Sequence, residues 1–220
     1  INVYGYLSKF INYEINLPNN DVYQYIKALM KFDSQYFDSQ YIEEVKNLLS
    51  NIFKVINMSI RDCQIIISEL NLICNEKNEK GATLKYYYWY PILACILLII
   101  KKTNNDIYLK YFFDQKYSIN YENKIKLKDT VYYKFLNDIK STELNNIFSF
   151  LIEEQFGQSF LLHFINTFIN IRDIDIESIA EYLKLDNTTI SNIINNTGEG
   201  GMWRFPDGIN VLINRINLLE

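Results

Sequence analysis

The sequence contains few residues that interrupt helices, with only seven glycines and three prolines among 220 residues. So few breaks favour long helices over a turn-rich β architecture. Hydrophobic residues make up 49% of the chain and charged residues 22%, which is typical of a globular protein with a sizeable core. We therefore predict a mainly α fold, a helical bundle with a few short strands near the N-terminus and around residues 117–127.

Metal-binding side chains are also scarce. His163 is the only histidine, and the three cysteines, Cys63, Cys74 and Cys95, form no CxxC pair. A structural zinc site needs about four such ligands held close together, so we predict no metal site. An odd number of dispersed cysteines in apolar segments indicates reduced thiols and a cytoplasmic chain. His163 lies in an apolar run and is interpreted as a core residue rather than a catalytic one.

No apolar run is long enough to cross a membrane. The longest candidate, Trp89–Ile100, has twelve residues. A helix needs about 20 residues to span roughly 30 Å of hydrocarbon. We therefore predict no transmembrane segment in this chain and interpret Trp89–Ile100 as a buried central helix.

The charge balance argues against a protein that coats nucleic acid non-specifically. The net charge is −4, whereas many phosphate contacts require an excess of lysine and arginine. Residues 173–220 alone carry eight acidic and three basic side chains, a net −5. Any contact between this tail and a polyanion must therefore be local.

The sequence motif that binds nucleotide phosphates is absent. The chain contains no G-x-x-x-x-G-K-[ST] and no apolar strand that ends in paired acids for Mg²⁺. The glycine cluster Gly198-Glu-Gly-Gly201 is followed by no lysine, and it is typical of a helix end and turn. We expect this chain alone to bind no cofactor tightly and to be catalytically inactive towards ATP.

Apolar residues recur at helical spacing through most of the chain. The spacing predicts helices over about residues 19–32, 39–57, 59–73, 84–102, 106–114, 129–140, 142–155, 158–171, 175–185, 188–196 and 207–218. Ser59 and Asp62 resemble a capping box at the start of the third.

Three units are predicted along the chain. Residues 1–115 would hold the end of an enzyme core and a lid-like helical region, and residues 131–220 a C-terminal helical region. Between them, residues 116–130 are predicted to be a linker or small hairpin. Lys124, Lys126 and Lys128 alternate there with apolar residues, which suits either a protected edge strand or a small anionic contact.

Short motifs follow one another in the first half of the chain. They are Tyr6-Leu-Ser-Lys9, Ile15-Asn-Leu-Pro18, Ser59-Ile-Arg-Asp62, Tyr90-Pro91, Leu97-Leu-Ile-Ile-Lys101 and Asp106-Ile-Tyr108. Their order and spacing over about residues 1–115 resemble the KAP family of P-loop NTPases after the nucleotide-binding motifs. The resemblance implies an ATP- and Mg²⁺-binding core upstream in the same polypeptide. It also implies a role in bacterial phage defence, in which this region couples nucleotide state to a partner.

The resemblance makes Arg61 a candidate nucleotide-sensing residue. An arginine near the start of a lid helix is able to reach a γ-phosphate, because its guanidinium presents a fixed fork of donors. The alternative is that Arg61 pairs with Asp62 or Glu69 on the helix surface, or simply follows a helix cap.

Residues 176–196 favour a different function. Their apolar spacing matches a helix-turn-helix, with a turn predicted at residues 185–187 and a close crossing at Ala180. Lys184 stands where such motifs usually place glycine, and residues 185–203 contain no lysine or arginine to hold phosphate. Both features count against DNA binding, and a purely structural helix pair is the other interpretation of this segment. The alternative function is a stand-alone binding module that contacts DNA or a protein. The residues predicted to contact DNA are Thr188, Thr189, Ser191 and Asn192.

An aromatic and basic cluster follows the glycine turn. Trp203, Arg204 and Phe205 combine the residue types that dominate protein interfaces. We predict that these three side chains contact a protein partner.

Overall fold

The computed structural model describes residues 19–32, 39–75, 89–113, 123–198 and 212–219, and these residues form a helical bundle. The mainly α prediction is confirmed. The strands expected near the N-terminus lie outside the described residues. The helices are α1 (Asn19–Leu29), α2 (Ser39–Val55), α3 (Ile60–Asn75), α4 (Trp89–Thr103), α5 (Asn105–Tyr108), α6 (Val131–Ile139), α7 (Leu144–Glu153), α8 (Gln155–Phe168), α9 (Ile176–Leu183), α10 (Asn187–Gly198) and α11 (residues 212–217).

Helix α4 lies at the centre of the bundle. All twelve residues of Trp89–Ile100 are buried, as the apolar pattern predicts. Helices α2, α3, α5 and α8 pack against α4. Within the described residues, no helix is both long and apolar enough to cross a membrane.

Helix α3 runs antiparallel to α4, and polar contacts hold both ends of the pair. At one end, Lys102 Nζ lies 3.1 Å from an oxygen of Asp62. At the other, the Arg215 guanidinium donates to the carbonyl of Ile73 and to the hydroxyl of Tyr90, both at 3.2 Å. Helix α11 therefore holds the far ends of α3 and α4 together.

An aromatic cluster fills the space between α6, α8 and the residues after α5. Phe112, Tyr132, Phe135, Phe164 and Phe168 lie with ring centroids 5.3 to 6.4 Å apart, many of them edge to face. Such pairs add about 0.5–1.5 kcal/mol each beyond the burial of their area. The predicted helix at 106–114 continues beyond α5 as a π turn, Leu109–Phe113.

Residues 123–130 attach to the C-terminal region by an isolated β-bridge. Ile125 pairs in parallel with Ile174, and the turn Leu127–Asp129 is 3-10 helical. Residues 116–122 lie outside the described residues, and the three-unit division stays a prediction. Buried residues on both sides of 116–130 belong to one hydrophobic cluster.

Gly157 accounts for a difference between the predicted and the observed start of α8. The sequence predicts a break near Gly157, with a new helix from residue 158, whereas α8 begins at Gln155 and includes this glycine. A Cβ atom at position 157 would lie 2.5 Å from the carbonyl oxygen of Leu151 and 2.8 Å from its Cα. Glycine is present because α7 and α8 approach closely, and its effect as a helix breaker is overridden.

We predict that Gly157→Ala destabilises the protein despite the higher helix propensity of alanine. The clash is with backbone atoms, so relief requires α7 and α8 to separate, and the free energy of unfolding should fall by about 2 kcal/mol. Urea denaturation measures this change. Gln155→Ala, at an exposed position in the same turn, is the matched control and should stay within about 0.5 kcal/mol of wild type. A more stable Gly157→Ala protein would contradict the close packing.

His163 is a core residue, as the sequence predicts. Its ring is 6% exposed and its centroid lies 5.0 Å from that of Trp89. Burial lowers the pKa of His163 from 6.5 to about 4. Between these two values the unfolded chain binds more protons than the folded one, so stability rises with pH through this window and is complete above it.

His163 should therefore make the protein sensitive to mild acid. Lowering the pH from 7 to 5 should reduce the free energy of unfolding by up to about 2 kcal/mol through this residue. His163→Gln and His163→Phe should both lose this part of the pH dependence, whatever their absolute stability. Urea denaturation of each protein at both pH values measures it. An identical pH dependence in wild type and both variants would mean that His163 is not the acid-sensitive group.

Candidate functional site

The start of helix α3 is built by a side-chain cap. The backbone amide of Asp62 donates to Ser59 Oγ at 3.1 Å, and the Ser59 hydroxyl donates to Asp62 Oδ2 at 2.7 Å. The second bond differs from a standard capping box, in which the acid accepts from the backbone of the cap residue. Ser59 and Asp62 thus fix the turn that carries Arg61.

Lys102, rather than Arg61, is the ion-pair partner of Asp62. The hydrogen bond from Ser59 and then the Lys102 ammonium lower the pKa of Asp62, so the carboxylate stays ionised and neutralised. Within the described residues, Arg61 forms no ion pair and its side chain is exposed. The pairing of Arg61 with Asp62 or Glu69 is not what the structure shows, whereas the simpler alternative, that Arg61 follows a helix cap, agrees with the Ser59–Asp62 contacts. The guanidinium is therefore available to an anion.

Arg61 lies at the end of the bundle where the chain enters α1. Gln64 donates to the Tyr25 hydroxyl at 3.0 Å, and the Asn71 amide bonds the backbone of Leu29 and Lys31 at 2.9 and 2.8 Å. These pairs are separated by 39, 42 and 40 residues, and a nearly constant offset means that α1 and α3 run parallel. With an offset of about 40 residues, Asn19 at the start of α1 lies level with Ser59, the residue that caps α3.

The outer face of α3 continues from Arg61 as a single exposed stripe. Arg61, Ile65, Ser68 and Leu72 follow helical spacing and are all exposed, and Leu72 reaches 63%. The opposite face carries the buried apolar residues of the core. Arg61 therefore points away from the bundle together with two apolar side chains.

Helices α9 and α10 form the predicted helix pair with a tight turn. Three residues, Lys184–Asp186, separate the helices, one residue earlier than predicted. Lys184 adopts the left-handed conformation, φ 56° and ψ 36°, and its amide and that of Leu185 donate to the carbonyl of Ala180. Lysine thus takes the backbone geometry that glycine usually supplies in such turns.

A carboxylate caps the start of α10. The amide of Thr189 donates to Asp186 Oδ1 at 2.8 Å, and its hydroxyl donates to Oδ2 at 2.5 Å. These hydrogen bonds lower the pKa of Asp186. Thr189, one of the four residues predicted to contact DNA, therefore uses its hydroxyl in the cap. Thr188 and Asn192 are exposed, and Ser191 is half-buried.

The remaining candidate groups offer no nucleophile or metal site. The three cysteines are free and buried, and burial raises the pKa of Cys63 to about 11. Thiols with a raised pKa are poor nucleophiles at neutral pH. Within the described residues, no group of three or more histidine, cysteine or acidic side chains is placed to hold a metal ion. The predicted partner contacts Trp203, Arg204 and Phe205 lie outside the described residues.

Comparison with known proteins identifies no relative: the chain matches no family model, no curated protein and no solved structure.

Sequence reasoning missed the two residues that set the charge at these sites. Lys102 neutralises Asp62 from a neighbouring helix, and no local pattern reveals such a tertiary pair. The Asp186 cap was recognisable, because an acid three residues before Thr189 at a helix start is a common N-cap pattern.

Proposed function

We propose that this chain is the helical lid and effector region of a KAP-like P-loop NTPase, and that Arg61 senses the nucleotide. The observation that carries the proposal is the position of Arg61 at the end where residues 1–18 join the bundle. Those residues hold the motifs that resemble the end of the NTPase core. A core attached there would lie beside the guanidinium, and the core would supply the ATP- and Mg²⁺-binding groups that the chain lacks.

The charges at this end of the bundle support the proposal. Asp62 is neutralised by Lys102, so it does not compete with phosphate for Arg61. A guanidinium with its donors exposed is suited to stabilise charge on a transferring phosphoryl group. Ile65 and Leu72, on the same stripe, would exclude water where α3 meets the core. Movement of α3 would reach the C-terminal region through α4 and α8, and the partner contact is proposed there.

Arg61→Ala should slow ATP turnover in the complete polypeptide that carries this chain and its P-loop. Loss of a phosphate-stabilising arginine should lower kcat at least tenfold, by about 1.4 kcal/mol or more. Arg61→Lys should recover only part of the rate, because an ammonium lacks the fork of donors. Steady-state ATPase assays measure both variants.

The control for this assay is Arg172→Ala, which removes an exposed arginine from the turn Ile171–Asp173. It should leave kcat unchanged, and circular dichroism should show that all variants remain folded. Unchanged turnover in Arg61→Ala would reject the sensing role. A complete polypeptide without any P-loop would reject the NTPase assignment as a whole.

We propose a second function for the helix pair, as a module that contacts DNA or a protein. The observation that favours it is the chemistry of α10: its sequence, Asn187–Gly198, contains no charged residue. Thr188 and Asn192 form an exposed polar stripe one helical turn apart. Hydroxyl and carboxamide groups are suited to hydrogen bonding with base edges. The tight turn at Lys184 fixes the orientation of α9 relative to α10.

The double variant Thr188→Ala, Asn192→Ala should weaken binding to duplex DNA at least fivefold, since one bidentate contact of the Asn192 carboxamide with a base is worth about 1–3 kcal/mol. Fluorescence anisotropy with a labelled duplex measures the change. Asn146→Ala, Ser149→Ala removes the same chemistry from exposed positions on α7 and should have no effect. Equal affinity of both double variants and wild type would remove DNA as the ligand of α10.

A further inference from the structure

Helix α11 binds to a part of the chain that lies more than a hundred positions before it. The Arg215 guanidinium donates to the Ile73 carbonyl, 142 residues away, and to the Tyr90 hydroxyl, 125 residues away. Ile73 lies in the last turn of α3, where the carbonyl groups lack partners within the helix. Arg215 therefore caps the end of α3 with a positive charge, which the helix dipole favours.

A second pair of hydrogen bonds holds the end of α11. The Lys101 ammonium donates to the carbonyl of Ile216, and the Tyr108 hydroxyl donates to Asn217 Oδ1, both at 3.0 Å. Ile216 lies in the last turn of α11, so Lys101 caps this helix as Arg215 caps α3. The first half of the chain and α11 thus each supply a cation to the end of a helix in the other.

One face of α11 is apolar and buried. Leu212, Ile213 and Ile216 are at most 4% exposed, whereas Asn214 is exposed. This spacing places the three apolar side chains on one side of a helix, so α11 docks as a short amphipathic helix. The polar groups that receive it, here called the docking site, belong to Ile73, Tyr90, Lys101 and Tyr108.

Helix α11 depends on the docking site for its own stability. Its six residues, 212–217, are too few for an isolated helix, because helices shorter than about 12–15 residues are marginal in water. The helix should therefore form when it docks and unfold when it leaves. Elements of this kind open locally at a lower free energy than the whole protein unfolds. Undocking would expose the docking site while α2, α3, α5 and α8 remain packed against α4.

The chemistry of the docking site defines which helix it accepts. The helix needs three apolar side chains on one face and a guanidinium that reaches the end of α3. It also needs a carbonyl for the Lys101 ammonium and an amide oxygen for the Tyr108 hydroxyl. Every copy of the chain carries a helix with these groups. A second copy is thus the partner whose fit is shown by the contacts of α11 itself.

We propose that two copies of this chain exchange α11, so that α11 of one copy occupies the docking site of the other. The same hydrogen bonds form within one chain and between two, so the exchange loses none of these contacts. Residues 199–211 connect α11 to α10 and tether it to its own chain, and the closed monomer is therefore favoured when the protein is dilute. The exchanged dimer forms as the concentration rises.

The first test measures whether the docking site binds α11 in trans, with a fluorescein-labelled peptide of residues 207–220 added to the full chain. The chain variant Ile216→Ala should bind this peptide at least about tenfold more tightly than wild type, because its own α11 competes less well. Arg215→Ala weakens α11 without changing its apolar face and should act in the same direction. Asn214→Ala, at an exposed position of α11, is the matched control and should bind the peptide as wild type does. Fluorescence anisotropy measures each affinity, and circular dichroism checks that the variants are folded.

A double-mutant cycle tests whether the peptide binds in the register of α11. In the Ile216→Ala chain, Tyr90→Phe removes the hydroxyl that accepts from Arg215. It should weaken binding of the wild-type peptide at least about threefold and leave binding of a peptide with Arg215→Ala unchanged. Tyr25→Phe removes an exposed hydroxyl from α1 and should affect neither peptide.

Size-exclusion chromatography with light scattering tests the exchange itself. The dimer fraction of wild type should rise between micromolar and millimolar protein. Excess wild-type peptide should convert the dimer to monomer by occupying its docking sites, and the peptide with Arg215→Ala should be at least about tenfold less effective. Ile216→Asp places a charge on the apolar face of α11 and should abolish the dimer.

Each other outcome overturns a specific statement. No peptide binding to folded Ile216→Ala or Arg215→Ala chains would reject the docking site as a site in trans. Equal binding of the two peptides would mean that apolar attraction alone acts, and it would reject the register. A wild type that binds the peptide but stays monomeric at millimolar concentration would reject a second copy as the occupant. A dimer that persists in Ile216→Asp would place its interface elsewhere and reject the exchange of α11.

Discussion

The burial of helix α4 on all sides is the constraint on which the rest of the bundle depends. A helix without a polar face has no side to turn towards water, so other helices must surround it. Helices from both halves of the chain meet this need: α2, α3 and α5 precede the 116–130 segment, and α8 follows it. With each large apolar side chain worth about 1.5–3 kcal/mol on burial, separating these helices from α4 would expose a large part of the core.

This arrangement determines how the proposed sensor could act at a distance. Helix α3 is bound to α4 at both ends, by Asp62–Lys102 at one and by Arg215 at the other. A ligand that displaces Arg61 would therefore displace α3, both ends of which are bound to α4. Packed helices shift as units rather than deform gradually. Helix α4, which also contacts α8, is the element that α3 would move against.

Much of the fold was predictable because it depends on local periodicity. The stripes of apolar residues in α2, α3 and α7 each define one buried face, and they place the helices to within a few residues. Gly157 shows where this reasoning fails: the same residue signals a helix break in sequence and a close helix contact in space. The sites are less predictable still, since the neutralisation of Asp62 and the anchoring of Ile125 depend on residues 40 or more positions away.

The distribution of charge decides how the two proposed functions can share one chain. At the Arg61 end, Lys102 neutralises Asp62, so Asp62 does not oppose the proposed binding of an anion by Arg61. At the helix pair, acidic caps at Asp175 and Asp186 stabilise the starts of α9 and α10 through the helix dipole, but they also repel phosphate. Stability and DNA affinity are thus opposed at the start of α10. Because α10 contains no cation, DNA binding there would gain little from counterion release and would depend on its neutral side chains.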